Sequence, residues 1–502
     1  MNSLEQDALE VLSLIRSVKN SFAPINRIPP EVLLLIPDYY DDDTDQGLIA
    51  LTHVCRGWRD MFISRSSLWT QLDCMDFDKT RTYIQRSKSS PLEIFLEMYE
   101  DDDTYLDDAF LLVTPHIHRI KSLTIYADAM PDAIKQLHCH APLLEGLNID
   151  LTCAAYAPVL DSALFEGDLS SLRELSLGGV ITRLPWNNLA NLTNFNLKSC
   201  PPGRGFINRL LDFFENAPLL CTITLEDSIP KSSDAPSGRM VSLPHLHMFA
   251  ITANPAHSIL LNHLCIPIGV SLILEFHFGG GESPLREYLP ETTVNLGNLT
   301  HITAINLHLG STQKFVRMKG PSGELRVHAH WEDKTITPYT MDRRILRSLD
   351  PSILLSASRL AVSRYKHLRP AEVEKCPVFR TLSSMNNLHT LVLTKCNNLP
   401  FILALNPNEA PSNVVLCPNL EELVLYIKSQ DQFRIKRLIS MAKGRASRDV
   451  KLSSITIVGV GELAPGKEVF KLREHIERVH YWVDDEPPDW DDLPGESGDE
   501  SE

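Results

Sequence analysis

The chain has 502 residues, of which 43% are hydrophobic and 22% are charged, and its formal net charge at pH 7 is -16. It is too long for one ordinary compact domain, so several domains or one elongated repeat domain are expected. Nucleic acid is not expected as a partner, because binding to phosphates depends on clustered Lys and Arg, and the sequence has no Lys/Arg-rich run.

The N-terminal residues predict no secretory signal, because Glu5, Asp7 and Glu10 interrupt any apolar core. No later stretch reaches the roughly 18 to 20 apolar residues that cross a bilayer, so no membrane partner is expected. The ten cysteines are scattered without a CxxC pair, as is typical of reduced thiols. We therefore expect an intracellular protein of the cytoplasm, the nucleus or both.

Apolar residues at helical spacing predict an amphipathic helix over residues 1–21. They are Leu4, Ala8, Val11, Leu12, Ile15 and Val18. A helix packed on its own domain is favoured here over a coiled-coil partner site.

The following residues, 22–72, predict a small helical module. Pro29 and Pro30 suit the start of a helix, where the first N–H groups have no intrahelical partner, and Glu31 favours the positive end of the helix dipole. Pro37 ends this helix early, and an acidic turn follows. A second helix then carries its apolar residues on one face: Leu48, Leu51, Val54, Cys55, Trp58, Met61 and Phe62.

Three anchors in this module, Ile28-Pro-Pro-Glu-Val-Leu33, Val54-Cys-Arg-Gly-Trp58 and Leu68-Trp69, together resemble the F-box motif in the variant common in large fungal F-box families. The resemblance implies a substrate receptor of a Skp–cullin–F-box ubiquitin ligase, whose module docks on the Skp-type adaptor. The residues implied for adaptor contact are Ile28, Pro29, Val32, Leu33, Leu51, Val54 and Trp58. A generic helical hairpin that caps the next domain is the alternative.

From about residue 115 a pattern L-x-x-L-x-L recurs, with Ile or Phe allowed, at starts commonly about 20 to 32 residues apart. Its copies begin at Ile120, Leu144, Leu172, Leu192, Leu220, Leu246, Ile302, Leu388, Leu420 and Leu452. Alternation puts the last two apolar residues of each copy, such as Leu175 and Leu177, on one face of a short strand and Ser176 on the other.

One such strand cannot bury its face alone, so the copies are expected to stack. The predicted fold class is therefore α/β: a short all-α module followed, over residues 115–483, by an irregular leucine-rich-repeat solenoid with parallel strands inside and helices outside. Residues 73–114 are predicted to be a linker or a first degenerate repeat. Residues 253–300 and 308–387 break the period and are predicted to hold insertions or degenerate units. The acidic tail, residues 484–502, is predicted to be disordered.

Residues that alternate with the core positions should face the concave side of this solenoid and are candidates for binding a target protein. They include Tyr126, Asp150, Glu174, Asn194, Asn196, Lys198, Glu226, Asn306, His308 and Tyr426. A solvated sheet face is the alternative for each of them.

No catalytic residue, cofactor or metal site is predicted. His-x-His pairs at 116/118, 138/140, 245/247 and 328/330 could each supply two metal ligands on a strand, but no third ligand follows at a recognisable spacing. Phosphate-binding, G-x-S-x-G, H-E-x-x-H and dinucleotide-binding motifs are missing from the sequence. Two functions besides the ligase receptor stay open: a repeat scaffold without a ligase role, and a divergent hydrolase or metal enzyme.

Overall fold

The computed structural model describes residues 3–39, 46–98, 103–127, 137–152, 157–160, 164–183, 188–228, 238–253, 257–278, 289, 293–309, 313–331, 351–364, 377–409, 414–427, 435–460 and 467–484. These residues belong to two compact units: Met1–Tyr156 with Ala163–Glu174, and Ala157–Ser162 with Leu175–Glu502. Residues 485–502 of the predicted acidic tail and the acidic turn at 41–43 lie outside the described residues.

The first unit begins with helices and continues into a parallel sheet. Its helices are α1 (Ser3–Ser21), α2 (Pro30–Leu33), α3 (Gln46–His53), α4 (Arg56–Ser64), α5 (Phe77–Ser87) and α6 (Asp103–Val113). Short 3-10 helices cover Pro24–Arg27, Ile36–Tyr39, Ser66–Trp69, Thr114–Arg119 and Leu164–Gly167. The strands are β1 (Gln71–Asp73), β2 (Leu92–Met98), β3 (Ile120–Ala127) and β4 (Gly146–Asp150).

These four strands pair in parallel in chain order. The parallel ladder therefore already includes β1 and β2, ahead of the first recognisable copy of the sequence pattern.

The second unit contains most of the strands. They are β5 (Val159–Leu160), β6 (Glu174–Gly178), β7 (Ile181–Thr182), β8 (Asn194–Lys198), β9 (Thr222–Glu226), β10 (Val241–Ser242), β11 (Met248–Ala253), β12 (Leu264–Cys265), β13 (Ser271–Phe278), β14 (Ala304–Leu309), β15 (Gln313–Gly320), β16 (Gly323–Trp331), β17 (Arg359–Ser363), β18 (Thr390–Thr394), β19 (Glu422–Ile427), β20 (Ser454–Val460) and β21 (Arg478–Asp484).

Between these strands lie α7 (Phe206–Asn216), α8 (His257–Leu261), α9 (Pro351–Ser356), α10 (Pro377–Ser383), α11 (Leu399–Leu405) and α12 (Ile435–Ala446). Further 3-10 helices cover Gly297–Leu299 and Lys467–Glu474. The whole is a mixed α/β arrangement in which an N-terminal helical region precedes a large, mostly parallel sheet.

One antiparallel meander interrupts the parallel ladder of the second unit. β8, β9, β11 and β13 pair in parallel, and so do β17 to β21 in chain order. Between these runs, β15 pairs antiparallel with both β14 and β16, while β16 joins β13 and β14 joins β17. The two stretches that break the sequence period thus contain regular strands.

The core of the second unit lies on one face of this sheet, under the helices. Residues in one cross-strand register are all buried: Leu197, Leu225, Ile251, Leu274, Val327, Val316, Leu307, Val362, Leu393, Leu425 and Ile457. α7 packs here because its apolar side is continuous, and the Phe213 ring centroid lies 4.3 Å from that of Phe195 in β8. As predicted, Leu175 and Leu177 are buried and Ser176 between them is only half-buried.

On the opposite face of the sheet, the exposure of the side chains to solvent differs from one part of the strand ladder to another. Lys198, Glu226 and His308 are partly exposed there, as expected for a solvated face. Asn306 and Tyr426, in contrast, are 7% and 5% exposed, so the alternative interpretation, a solvated sheet face, does not hold at these two positions. Tyr426 is buried because Ala361, Val392, Val424 and Val458 form a second apolar cluster around it.

Two further observations bear on the sequence predictions. The apolar residues of α1 from Ala8 to Val18 are exposed, so the expectation that this helix packs on its own domain is wrong for these residues. None of the helices among the described residues has the length and apolar character needed to cross a membrane.

Candidate functional site: an exposed apolar surface on the N-terminal helical module

The helical module has a small apolar core built from α2, α3 and α4. Leu33, Leu51, Trp58 and Phe62 are buried against one another, and the Trp58 and Phe62 ring centroids are 5.8 Å apart. Partly buried side chains pack around them: Leu34, Ile36, Leu48, Cys55, Met61 and Leu68. Pro30 starts α2 as predicted, and Pro37 lies within the 3-10 helix that follows.

Two tryptophans fix this core through polar contacts as well as packing. Trp58 Nε1 donates a hydrogen bond to Asn26 Oδ1 at 2.7 Å, which ties α4 to the segment before α2. Trp69 is fully buried, and its Nε1 donates to the carbonyl oxygen of Phe62 at 2.9 Å. Each indole N–H thus has a partner, as buried indoles require.

The seven residues predicted to contact an adaptor divide into two groups. Ile28, Pro29, Val32 and Val54 are exposed. Leu33, Leu51 and Trp58 instead form the core of the module, so their side chains stabilise the surface rather than present it. The spacing of apolar residues in the sequence could not separate the two groups, because a residue that faces the core of the module and one that faces a partner have the same helical spacing.

Other exposed apolar residues extend the surface of the module beyond those predicted. They are Phe22, Ile25, Leu35 and Tyr39, with exposed fractions of 68%, 46%, 50% and 86%. This is a large amount of exposed apolar side chain for so small a module. A groove of about 510 Å³ adjoins it, and its lining includes Ile28, Arg56, Trp58 and Met61.

Four of the residues predicted to bind a target, Lys198, Glu226, His308 and Tyr426, share one cross-strand row of the second unit on the face away from the core. In strand order the row is Lys198, Glu226, Thr252, Glu275, His328, Phe315, His308, Ser363, Thr394, Tyr426 and Val458. It is accessible from Lys198 to His308 and buried from Ser363 to Val458. Asn194 is exposed and Asn196 half-buried, with Asn196 Nδ2 donating to Ser176 Oγ at 3.1 Å.

The accessible part of this row has an aromatic centre that the sequence did not indicate. The Phe315 ring lies edge-on between His308 and His328, at centroid distances of 5.6 and 4.6 Å. His308 Nδ1 is 2.8 Å from Ser363 Oγ, and His328 Nδ1 is 3.7 Å from Glu275 Oε1. β15 supplies Phe315, and this strand has no copy of the repeat pattern, which is why the residue was missed.

Charged side chains border this centre. Glu324 contacts both Arg317 and Arg326, and its Oε1 accepts from Arg326 Nε at 2.8 Å. Asn306, opposite Arg317 in the register, has a buried Oδ1 without a hydrogen-bond partner among the described residues. The hairpin therefore offers ionic groups, imidazoles and an aromatic ring side by side.

The remaining predicted target residues lie in the first unit, apart from the row above. Tyr126 and Asp150 are cross-strand neighbours on β3 and β4, and Tyr126 Oη accepts from Asn148 Nδ2 at 2.9 Å. Glu174 is exposed.

Histidine and cysteine side chains are the candidates for metal or nucleophilic chemistry. The described residues contain no group of three or more His, Cys, Asp or Glu that could hold a metal ion. His116 and His118 lie in a 3-10 helix rather than on a strand. Burial raises the pKa of the Cys74 and Cys417 thiols to about 12, so neither is a thiolate at neutral pH. Ser363, although bonded to His308, is only 6% exposed.

Comparison with known families places the module in context. A family model described as F-box-like matches residues 25–75, which include all of the exposed apolar residues named above except Phe22. The match covers a small part of the chain and suggests a role in binding a Skp-type adaptor of a ubiquitin ligase. A search of curated proteins found no sequence that matches this chain.

Proposed function

We propose that the chain is the substrate-recognition subunit of a Skp–cullin–F-box ubiquitin ligase. The F-box-like domain docks on the Skp-type adaptor, and the parallel-rich sheet, a degenerate leucine-rich-repeat solenoid of the kind found in fungal F-box proteins, holds a target protein. The observation that carries the proposal is the exposed apolar surface of the matched domain.

The adaptor is expected to cover Ile28, Pro29, Val32 and Val54, together with the newly found Ile25 and Leu35. Exposing these side chains to water is unfavourable, and full burial of one such side chain contributes roughly 1.5 to 3 kcal/mol. Leu33, Leu51 and Trp58 act indirectly, because they hold α2, α3 and α4 in the arrangement that presents the surface.

The target is expected to bind the accessible part of the cross-strand row, centred on Phe315. A half-buried aromatic ring between two histidines, with Arg317 and Arg326 on the same two strands, provides both apolar area and hydrogen-bonding groups, the combination found at binding hot spots. Lys198, Glu226 and His308 are retained as contacts from the sequence prediction, while burial makes Asn306 and Tyr426 poor candidates.

No group on this chain needs to react in such a complex. By holding a target lysine near a thioester carried by another subunit, the receptor raises the effective concentration of the reacting groups. The chain would thus contribute to catalysis through position alone.

The test is capture of a purified Skp-type adaptor by the full-length chain and by two variants, Val32→Glu and Val54→Glu. Each places a charge in the apolar surface, and both side chains are about half exposed, so the fold should persist. We expect each variant to bind at least about tenfold more weakly, which corresponds to about 1.4 kcal/mol.

The matched control is Leu111→Glu, the same type of change at an exposed apolar residue of α6 outside the module. It should bind the adaptor like the unmodified chain. If the unmodified chain does not bind the adaptor, the ligase proposal is wrong and the scaffold alternative is preferred.

A further inference from the structure

Helix α1 carries apolar residues that nothing among the described residues covers. Leu9, Val11, Leu12, Leu14, Ile15 and Val18 are all between 50% and 65% exposed. The contacts of α1 with the module lie at its C-terminal end, where Asn26 Nδ2 donates to the carbonyl oxygen of Asn20 at 2.6 Å. Helices in proteins gain most of their stability from packing of their apolar face, so a covering partner is expected to stabilise α1.

Five of these six apolar residues form one stripe along the helix, and Leu9 lies beyond it. At 100° per residue, Leu14, Val18, Val11, Ile15 and Leu12 follow one another within an arc of about 160°. Lys19, Glu5 and Arg16 lie near one edge of this arc, and Asp7 and Glu10 lie near the other. Lys19 and Asp7 fall about 20° inside the arc, and the other three fall outside it. The charges are also separated along the axis, with acidic residues in the first half and basic residues in the second.

The charge pattern of α1 favours a second copy of this helix over a membrane surface as the partner. The surface of an anionic membrane is disfavoured, because the polar side of α1 lacks the Lys and Arg excess that such helices carry. A second copy of α1 in the antiparallel direction is complementary, since equivalent edges then face each other and Glu5 of each copy lies beside Lys19 of the other. A parallel pair would place Glu5 beside the Asp7 edge instead and would leave both basic residues without an acidic neighbour.

We propose that α1 is a dimerisation helix that pairs in antiparallel fashion with α1 of a second copy of this chain. The stripe becomes the buried seam of the pair, and two Glu5–Lys19 ion pairs flank it. Dimerisation joins two receptor chains in one assembly, which strengthens the hold on a target with two binding sites without any new contact. The inference is independent of the proposed ligase role, because the stripe lies outside the matched domain.

The experiment is measurement of the molar mass of the full-length chain by size-exclusion chromatography with light scattering over a range of micromolar concentrations. We expect the mass of two chains, and the mass of one chain for Ile15→Asp. Gln6→Glu is the matched control, because it adds a negative charge on the polar side of the same helix, and it should keep the mass of two chains.

A charge exchange tests the antiparallel direction. Glu5→Lys alone and Lys19→Glu alone should each raise the protein concentration at which the dimer forms. The double variant should return this concentration to that of the unmodified chain. A double variant no better than the single ones would rule out this direction.

The mass of one chain at all concentrations, or a dimer that survives Ile15→Asp, would overturn the proposal. If the chain is a monomer and Ile15→Asp also weakens adaptor capture, the adaptor rather than a second copy covers the stripe. If Ile15→Asp abolishes the dimer and leaves adaptor capture unchanged, the proposal is supported.

Discussion

Arg119 and Arg445 are buried guanidinium groups that hold backbone carbonyl oxygens. Arg119 Nη1 donates to the Ser90 carbonyl at 2.7 Å. Arg445, fully buried on α12, donates to the carbonyls of Val450, Leu416 and Cys417 at 2.9 to 3.1 Å. The rigid fork of a guanidinium can satisfy several acceptors at once. Sequence could not indicate these roles, because an Arg among other polar residues is normally on the surface.

Replacing Arg445 is therefore expected to destabilise the second unit. Arg445→Met removes the side-chain donor to the Leu416 and Val450 carbonyls, while the Cys417 carbonyl keeps its hydrogen bond from Leu420 N–H. Each buried carbonyl left without a donor costs about 1 to 3 kcal/mol, so a loss of a few kcal/mol is expected. Arg445→Lys keeps the charge but cannot span the three acceptors, and should also be destabilising. Lys436→Met, on the exposed side of the same helix, is the control and should change stability by less than about 0.5 kcal/mol. Urea denaturation measures all three, and equal effects of Arg445→Met and Lys436→Met would contradict the structural role.

At the scale of elements, the sequence predicted the strands that repeat and missed those that do not. Alternation located β3, β4, β6, β8, β9, β11, β14, β18, β19 and β20. It did not locate β15 or β16, because the antiparallel strands of a meander need no common spacing. The same limit applies to burial, since a pattern gives the side of a strand but not what covers that side, as Tyr426 shows.

The β15–β16 hairpin should respond to acid through Glu324. Burial raises the pKa of Glu324, but hydrogen bonds from Arg326 and Arg317 outweigh this effect and hold the pKa below its usual value. A carboxyl whose pKa is lower in the folded state stabilises the fold above its unfolded pKa, near 4.3, and loses this contribution as the pH falls through the folded pKa. The difference in unfolding free energy between the unmodified chain and Glu324→Gln should thus be greatest near neutral pH and shrink below about pH 4.3.

Denaturation at a series of pH values checks this dependence. Glu409→Gln serves as the control, because Glu409 pairs with the exposed Arg437 and surface pairs contribute less than about 1 kcal/mol. A difference for Glu324→Gln that stays constant from neutral to acidic pH would show that the arginines do not stabilise the charged carboxylate.

At the scale of the whole molecule, the chain combines two compact units with different surfaces. The F-box-like domain in the first unit could be anticipated because its three anchors are local in sequence. The aromatic centre of the second unit could not, because Phe315, His308 and His328 come together only through strand pairing. Local motifs are readable from sequence, whereas sites assembled across strands depend on a register that the sequence does not state.

If the two units carry separate binding functions, a single change in each should remove one function and spare the other. Val54→Glu should weaken capture of the adaptor while the chain still retains its target, because Val54 is an exposed residue of the helical module between α3 and α4. Phe315→Ala should do the reverse, since it removes the half-exposed ring between His308 and His328. Affinity purification of each tagged full-length variant, with quantification of every recovered protein, measures both losses, and each variant controls for the expression and folding of the other. If Val54→Glu also loses the target, or if Phe315→Ala also loses the adaptor, the two binding functions are not separable in this way.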